Sequence, residues 1–249
     1  MYSSYLYAEG DNLHQASERK LQRICDQLTI DANDHVVEIG SGWGGFACYA
    51  AKHTGCRVTT ITISQEQYTA AIARVAEHGL QAQVDVQLTD YRELDGQYDK
   101  LVSIEMIEAV GDQYLDTYFN TLSKVLKPGG QALLQAITVE DHRYQQSLKE
   151  VDYIKRYIFP GSFIPCISVI AEHAGKNGLI MTDLFDMGQS YAQTLTEWRQ
   201  RFLNNLQEVR DQGFDERFIR MWDFYLCYCA GGFTEQAISV VQSHFRKAS

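Results

Sequence analysis

The segment from Val36 to Gly45 constrains the fold more than any other part of the chain. A short run, Val36-Val37-Glu38-Ile39, precedes Gly40-Ser41-Gly42-Trp43-Gly44-Gly45, in which the glycines follow a G-x-G-x-x-G-like spacing. Glycine is needed where backbone approaches a ligand closely or takes a positive φ, and a following helix offers free N–H groups to an anion. The segment therefore predicts the first strand, turn and helix of a nucleotide-binding α/β domain.

The acidic residue of this segment narrows the choice of ligand. The glycine spacing alone also fits a site for NAD(P) or FAD, or a turn that holds no ligand. Glu38, two residues before Gly40, stands where dinucleotide-binding folds are usually apolar. An acid there resembles the first motif of Rossmann-like S-adenosylmethionine (SAM) methyltransferases, so SAM is the favoured ligand.

The order of apolar runs and amphipathic stretches predicts a doubly wound parallel sheet. The predicted helices are 12–28, 46–53, 64–78 and 113–126, and the predicted strands are 36–39, 57–62, 84–88, 98–104 and 131–139. Ligands bind such sheets at the carboxyl ends of the strands. The segments expected around this crevice are Gly40–Gly44, Thr62, Asp90-Tyr91, Glu105–Glu108 and Gln135–Ile137.

The regular alternation of predicted strands and helices ends at about residue 140. Helices are predicted at 147–158, 166–176, 192–208 and 215–229, and strands at 179–187 and 240–245. The last two helices are rich in aromatic residues, a pattern more typical of core than of a ligand pocket. We interpret 1–249 as a single domain, with an N-terminal cap remnant (1–30), a SAM-binding core (31–140) and a substrate or lid region (141–249).

Charge and cysteine content limit the classes of partner and the compartment. The net charge of −10 argues against nucleic-acid binding. The acidic excess falls in residues 1–142, so contact with an anionic lipid surface is expected from the balanced second half, unless the distribution is ordinary surface scatter. The six cysteines form no CxxC pair and predict free thiols, no metal site and a reducing cytoplasm. No signal peptide or membrane-spanning run is visible.

Several motifs together identify a family. They are Tyr2-Ser3-Ser4, Glu38–Gly44, Thr62–Gln67, Ser103–Glu108, Tyr157–Gly161, Tyr191 with Thr194-Leu195 and Trp198, and Cys229–Phe233. Over nearly its whole length the chain resembles cyclopropane-fatty-acyl-phospholipid synthases and mycolic acid cyclopropane synthases. The Gly-Trp-Gly and Tyr-Ile-Phe-Pro-Gly sequences are specific in combination.

The resemblance implies a fold and a reaction. The fold is the class I SAM methyltransferase sheet, seven-stranded and mostly parallel with an antiparallel last strand, with helical insertions that form an acyl-chain lid. The reaction moves the SAM methyl group to a cis double bond of an unsaturated phospholipid acyl chain, and loss of a proton closes a cyclopropane ring. Bicarbonate takes that proton in the family. The enzyme is expected in the cytoplasm, with transient contact at the inner membrane face.

The resemblance also assigns the catalytic site. Glu108 matches a glutamate that holds bicarbonate, Ile137 a backbone contributor and Tyr191 a hydroxyl donor. Ser4 and Gln135 depart from the family, because they stand where many members have cysteine and histidine. Both keep a hydrogen-bond donor, but Gln135 cannot titrate near neutral pH as histidine does.

A second set of residues matches the SAM site. Those expected around SAM are Tyr2, Ser3, Gly40, Gly42, Trp43, Thr62 and Gln67, with Asp90 and Tyr91 at the adenine end. Thr62 and Gln67 would bond the ribose in place of the usual acid.

Three alternatives remain open at this point. The same fold could carry methyl branching of an acyl chain at its tenth carbon, or N-methylation of a small amine. The chain could also be a non-catalytic SAM- or lipid-binding module. Family members carry a further N-terminal region before the Tyr-Ser-Cys motif, so we expect either a truncated chain or a missing cap.

Overall fold

A single twisted sheet carries the site, in a computed structural model that describes residues 2–248. Its seven strands in that range are β1 (His35–Ile39), β2 (Arg57–Thr62), β3 (Val84–Leu88), β4 (Tyr98–Ile104), β5 (Leu126–Val139), β6 (Leu179–Asp186) and β7 (Ile238–Lys247). The strand order is β3-β2-β1-β4-β5-β7-β6, and β7 runs antiparallel to the other six strands of this sheet. The predicted class I SAM methyltransferase topology is confirmed.

Helices connect the strands. They are α1 (Leu13–Gln27), α2 (Gly45–Thr54), α3 (Gln65–Glu77), α4 (Leu115–Val125), α5 (Asp141–Lys149), α6 (Ile167–Lys176), α7 (Gly188–Asn204), α8 (Leu206–Asp211) and α9 (Glu216–Thr234). Asn12 caps α1 in a reciprocal capping box with Gln15, and the Ser64 hydroxyl accepts the Gln67 N–H at the start of α3. Both caps lie where the sequence predicts them.

The core forms on both faces of the sheet, because successive strand residues point to opposite sides. Val36 and Val58 pack with α1 and α2 in one cluster, whereas Val37 and Ile61 pack with α4 in the other. A third cluster joins α7, α9 and β7. Ile137 of β5 packs against this third cluster.

Two predicted helices are interrupted. Helix α5 ends at Lys149, and residues Ile154–Ile158 form a separate π-helical turn. The ammonium group of Lys155 donates to the carbonyl oxygens of Ser147 and Glu150, which satisfies the end of α5 and stops its continuation. The stretch predicted as 192–208 is likewise two helices, α7 and α8, divided at Asn205, whose side chain donates to the Arg201 carbonyl.

The aromatic stripe of the last helices is only partly core. Trp198 and Trp222 pack against the third cluster, as predicted, but Phe224 and Tyr228 are about half exposed. Among residues 2–248 no helix combines the length and apolarity needed to cross a membrane.

Candidate active site

The glycine turn is held at the carboxyl ends of β1 and β2. The N–H groups of Gly40 and Ser41 both donate to the carbonyl oxygen of Ile61, at 3.1 and 2.8 Å. Gly44 takes a φ of +76°, and a Cβ there would lie 3.2 Å from the backbone of Ala71 on α3. Close approach of α2 and α3 therefore requires glycine at this position.

A chain of hydrogen bonds links several predicted SAM residues. The Thr62 hydroxyl donates to Gln67 Oε1 at 2.8 Å, and Gln67 Nε2 donates to the Tyr2 hydroxyl at 2.8 Å. The Tyr2 ring lies edge-to-face with Trp43 and 3.6 Å from a Cβ placed on Gly42. Five predicted cofactor residues thus meet beside the glycine turn, and this cradle of glycine backbone and polar side chains fits SAM.

The predicted adenine residues lie at the end of β3. The Thr89 N–H donates to the Thr62 carbonyl at 2.9 Å, which brings this turn next to the end of β2. Asp90 accepts from the Arg92 guanidinium at 2.7 Å, and this bond lowers the pKa of Asp90. Tyr91 packs edge-to-face on Tyr118. Their contact with adenine stays a prediction.

Two charged side chains are buried behind the turn. Glu38 accepts from the Thr60 hydroxyl at 2.6 Å, and burial raises the pKa of Glu38 to about 8. Lys20 is fully buried on α1 and donates to the Ser3 hydroxyl at 2.8 Å. Burial lowers the pKa of Lys20 to about 8, against the opposite influence of Glu105 and Glu38.

The role of Lys20 was missed by sequence reasoning. A signal was present, because Ala16, Lys20 and Ile24 follow i, i+4 spacing on the buried face of α1. A lysine on an apolar stripe indicates a buried cation with a nearby counter-charge. Here that cation lies behind Ser3, which we expect near the SAM carboxylate.

The centre of the site is the carboxylate of Glu105, immediately after β4. Glu105 Oε1 accepts from the Ser4 N–H at 2.8 Å and from Gln135 Nε2 at 2.7 Å, and Oε2 accepts from the Tyr191 hydroxyl at 2.8 Å. Burial raises the pKa of Glu105, whereas the charge of Lys20 and these donors oppose that rise. The residue takes a φ of +49°, a strained conformation for a non-glycine residue that is often found at functional sites.

Three residues predicted to hold bicarbonate are therefore together, but they bind Glu105. Gln135 contributes its amide, as expected, whereas Ser4 contributes its backbone N–H because its hydroxyl donates to the Tyr5 carbonyl at 3.0 Å. Bicarbonate does not fit this arrangement, since a second anion would face the Glu105 carboxylate with its donors already engaged. Sequence reasoning noted the stretch Ser103–Glu108 but gave Glu105 no role.

Glu108 and Ile137 meet as the resemblance implies. Glu108 Oε1 accepts the Ile137 N–H at 2.6 Å, while Oε2 is buried with no hydrogen-bond partner among the described residues. Burial first, and the charge of Glu105 second, raise the pKa of Glu108 to about 8. Of this carboxyl pair, Glu105 with three donors and the nearby Lys20 charge is better stabilised as the anion, and Glu108 with one donor is better stabilised as the neutral acid.

The protein-family model described as "Mycolic acid cyclopropane synthetase" matches residues 1–243. The chain belongs to this family. It is a family of SAM-dependent methyltransferases. Within residues 2–248 no group of three or more His, Cys, Asp or Glu side chains is placed to hold a metal ion.

The curated relatives described next are longer than this chain. It is 40% identical over 231 residues to tuberculostearic acid methyltransferase UfaA1 of Mycobacterium tuberculosis, covering 92% of the chain and 54% of that protein. It is 37% identical over 246 residues to cyclopropane-fatty-acyl-phospholipid synthase of Escherichia coli K12, covering 99% of the chain and 62% of that protein. The chain thus spans a little over half the length of these relatives.

Solved structures of the family share the fold. The cyclopropane synthase MmaA2 from Mycobacterium tuberculosis superposes with a TM-score of 0.92 at 25% identity, covering 99% of this chain and 90% of that one. The mycolic acid cyclopropane synthase CmaA1, complexed with SAH and CTAB, matches with the same score, identity and coverage. The SAH in that complex agrees with a SAM site in this chain.

The buried cation gives a first testable prediction. Replacing Lys20 with methionine removes a charge that lowers the pKa of Glu105, so the pKa of Glu105 rises. The acid limb of the pH profile of kcat/KM should move to higher pH, with the plateau at alkaline pH largely kept. A uniform loss of rate at every pH, with an unmoved acid limb, would assign Lys20 a packing role alone.

The buried acid gives a second prediction, for stability. The folded-state pKa of Glu108 is about 8 against an ordinary value of 4.5, so the folded protein keeps a proton that the unfolded chain releases between these values. Its stability contribution is complete below pH 4.5 and is lost as pH rises through 8. We expect the Tm of Glu108→Gln, relative to that of the unsubstituted chain, to rise by roughly 10 °C between pH 5 and pH 8.5. A Tm difference that is constant across this range would contradict the assignment.

Proposed function

We propose that this chain transfers the methyl group of SAM to a cis double bond of an unsaturated acyl chain in a phospholipid and forms a cyclopropane ring. The observation that carries the proposal is the Glu105 carboxylate, held by Ser4, Gln135 and Tyr191 beside an aromatic cluster. It lies at the same edge of the sheet as the glycine turn. The proposed working place is the cytoplasmic face of the membrane, where the six free cysteines would stay reduced.

The residues present suit the charge changes of this reaction. SAM, when bound, supplies an electrophilic methyl group, and an alkene that accepts it becomes a carbocation. Aromatic faces stabilise positive charge, and Tyr191 stacks on Phe233 with ring centroids 4.5 Å apart. Tyr225 packs in the same cluster. Such an enclosure also excludes water that would otherwise trap the cation.

Glu105 completes the reaction as the proton acceptor. The acyl chain loses one proton from its new methyl group, the electrons of that C–H bond close the ring, and a Glu105 carboxylate oxygen takes the proton. Its raised pKa makes it a stronger base than an ordinary carboxylate. The neutral Glu108 holds the Ile137 N–H and places no second anion beside it.

Bicarbonate has no step in this proposal. The resemblance to the family predicts that bicarbonate binds among Ser4, Glu108, Gln135, Ile137 and Tyr191. The donors of Ser4, Gln135 and Tyr191 serve Glu105 instead, so the base is part of the chain.

A second product is supported by the relatives. The 40% identity to a tuberculostearic acid methyltransferase favours a methyl-branching reaction on the same double bond. After methyl transfer, a hydride shift along the acyl chain and loss of a methyl proton to Glu105 would give an acyl chain with a methylene (C=CH₂) branch. This product is an isomer of the cyclopropane product. The two products have equal mass and are separated by proton NMR of the extracted lipid.

The test is incubation with methyl-labelled SAM and vesicles of dioleoyl phosphatidylglycerol. We expect label in the lipid fraction and upfield cyclopropane proton signals. Olefinic methylene signals would establish the branching product instead. Label in a small-amine fraction, or SAM binding by calorimetry with no label transfer to lipid, would contradict the proposal and support N-methylation or a non-catalytic binding module.

A further inference from the structure

A group of exposed aromatic side chains lies on the π-helical turn, the residue that follows it and α9. Tyr157, Phe159, Phe224 and Tyr228 are each between 46% and 50% exposed. The ring of Tyr153 contacts three of them, 4.6 Å from Phe224, 5.4 Å from Tyr157 and 6.3 Å from Tyr228 between centroids, and Phe159 contacts Tyr225 next to Phe224. We call these four exposed residues the aromatic surface. A contiguous exposed apolar group of this kind typically marks an interaction site.

The aromatic surface is built from two segments that are fixed to each other. The Tyr153 hydroxyl donates to the Met221 carbonyl of α9 at 2.8 Å, which ties the π-helical turn to that helix. Phe224 and Tyr228 are one turn apart on α9 and stack with centroids 5.8 Å apart. The surface is therefore a fixed feature of the fold.

A line of aromatic contacts leads from this surface to the proposed base. The Phe159 ring meets Tyr225 at 6.1 Å, and Tyr225 packs in the cluster that contains Tyr191. The Tyr191 hydroxyl donates to Glu105, and the charge of Glu105 contributes to the raised pKa of Tyr225. The chain that follows Phe159 also contacts the site, because the Phe163 N–H donates to the Glu108 carbonyl at 3.1 Å. A series of packed aromatic side chains thus connects the surface with the site.

The chemistry of the surface fits a lipid bilayer better than a protein partner. Phenolic rings beside phenylalanine are typical of the membrane interface, where one end of a ring is apolar and the other hydrated. The exposed Arg156 lies over the Tyr157 ring, 5.5 Å from its centroid, and Lys149 is exposed nearby in sequence. With the Lys155 ammonium bound to backbone carbonyls, the exposed charges of residues 149–161 are two cations and two carboxylates, so this segment lacks the acidic excess of the chain as a whole. Cationic groups among aromatic ones suit lipid phosphates.

We propose that the aromatic surface docks on a phospholipid bilayer and admits an acyl chain directly from the bilayer, past Phe159 and Tyr225, to Glu105. This inference rests on the proposed function, because it supplies the route by which a membrane lipid reaches the base. An acyl chain that slides along aromatic side chains stays shielded from water throughout. Docking through rings and a few cations is reversible, as an enzyme that treats many lipids requires.

The experiment compares vesicle binding with turnover. The double variant Tyr157→Ser/Phe224→Ser removes two exposed rings, and Ile180→Ser, an exposed apolar residue on the edge strand β6, is the matched control. Co-sedimentation uses vesicles of dioleoyl phosphatidylethanolamine with dioleoyl phosphatidylglycerol. We expect the double variant to bind vesicles about tenfold more weakly than the unsubstituted chain, and the control to bind them as well as the unsubstituted chain does. Methyl transfer to vesicle lipid should fall by the same factor, while transfer to the same lipid in detergent micelles stays within twofold.

Several results would overturn the docking proposal. They are unchanged vesicle binding by a folded double variant, equal losses on vesicles and micelles, or self-association of the unsubstituted chain that the same substitutions abolish. Tyr157→Ser alone serves if the double variant does not melt cooperatively. Vesicle binding can be measured without turnover. Binding that depends on the aromatic surface, with no methylated lipid formed, would contradict the proposed function but support the docking proposal.

Discussion

Glu105→Gln is expected to lower kcat by about a hundredfold to ten-thousandfold, the range typical for loss of a general base. Glutamine keeps the size of the side chain, but its amide cannot accept the proton that the acyl chain releases. It also presents an NH₂ group toward donors that now bind a carboxylate, at Ser4, Gln135 and Tyr191. The Kd for SAM, measured by calorimetry, should stay within about threefold because Glu105 is not among the residues expected to contact SAM.

Two comparisons make the Glu105 result specific. Glu66→Gln, an exposed glutamate in the first turn of α3, should leave kcat unchanged. Glu105→Asp keeps the charge on a shorter side chain and should retain more activity than Glu105→Gln. Normal turnover by a folded Glu105→Gln protein would remove Glu105 from the chemistry.

Gly42→Val is expected to raise the Kd for SAM by roughly tenfold to a hundredfold, equivalent to about 1.4–2.8 kcal/mol. Gly42 has a φ of +48°, and its Cβ position lies 3.6 Å from the Tyr2 ring. A branched side chain there would enter the cradle and displace the Tyr2–Gln67 contact. The measurement is SAM binding by calorimetry at a temperature where the variant is folded.

The control for Gly42→Val separates ligand contact from backbone strain. Gly79 also has a positive φ, +67°, and a Cβ there meets nothing within 4 Å. Gly79→Val should therefore lose a similar amount of stability to strain while binding SAM normally. Equal loss of SAM affinity in both variants would show that strain, and not the cradle, explains the Gly42 result.

The fold was predictable because its signals are local. β-branched runs alternate with capped amphipathic helices, and the order of those elements allows few topologies. The interrupted helices were less accessible, because the end of α5 depends on the Lys155 ammonium reaching back to the Ser147 and Glu150 carbonyls. Such a contact competes with helix propagation and has no periodic signature.

The sequence predicted which hydrogen-bond donors lie in the site, but not the acceptor that they share. Sequence reasoning selected Ser4, Gln135 and Tyr191 as donors, and the structure brings them together. Their common acceptor could not be read from spacing, because it depends on the left-handed backbone of Glu105 turning that side chain inward. A buried acid immediately after a strand, next to a histidine position occupied by glutamine, is the signal to look for in similar chains.

Dependence of the rate on bicarbonate tests most directly whether the chain supplies its own base. Methyl transfer to dioleoyl phosphatidylglycerol is measured in CO₂-depleted buffer with and without added bicarbonate, for the unsubstituted chain and for Glu105→Gly. We expect the unsubstituted rate to be independent of bicarbonate. We expect Glu105→Gly, which leaves the Ser4, Gln135 and Tyr191 donors free, to be nearly inactive until bicarbonate is added. An unsubstituted rate that falls on CO₂ depletion and returns with bicarbonate would contradict the account.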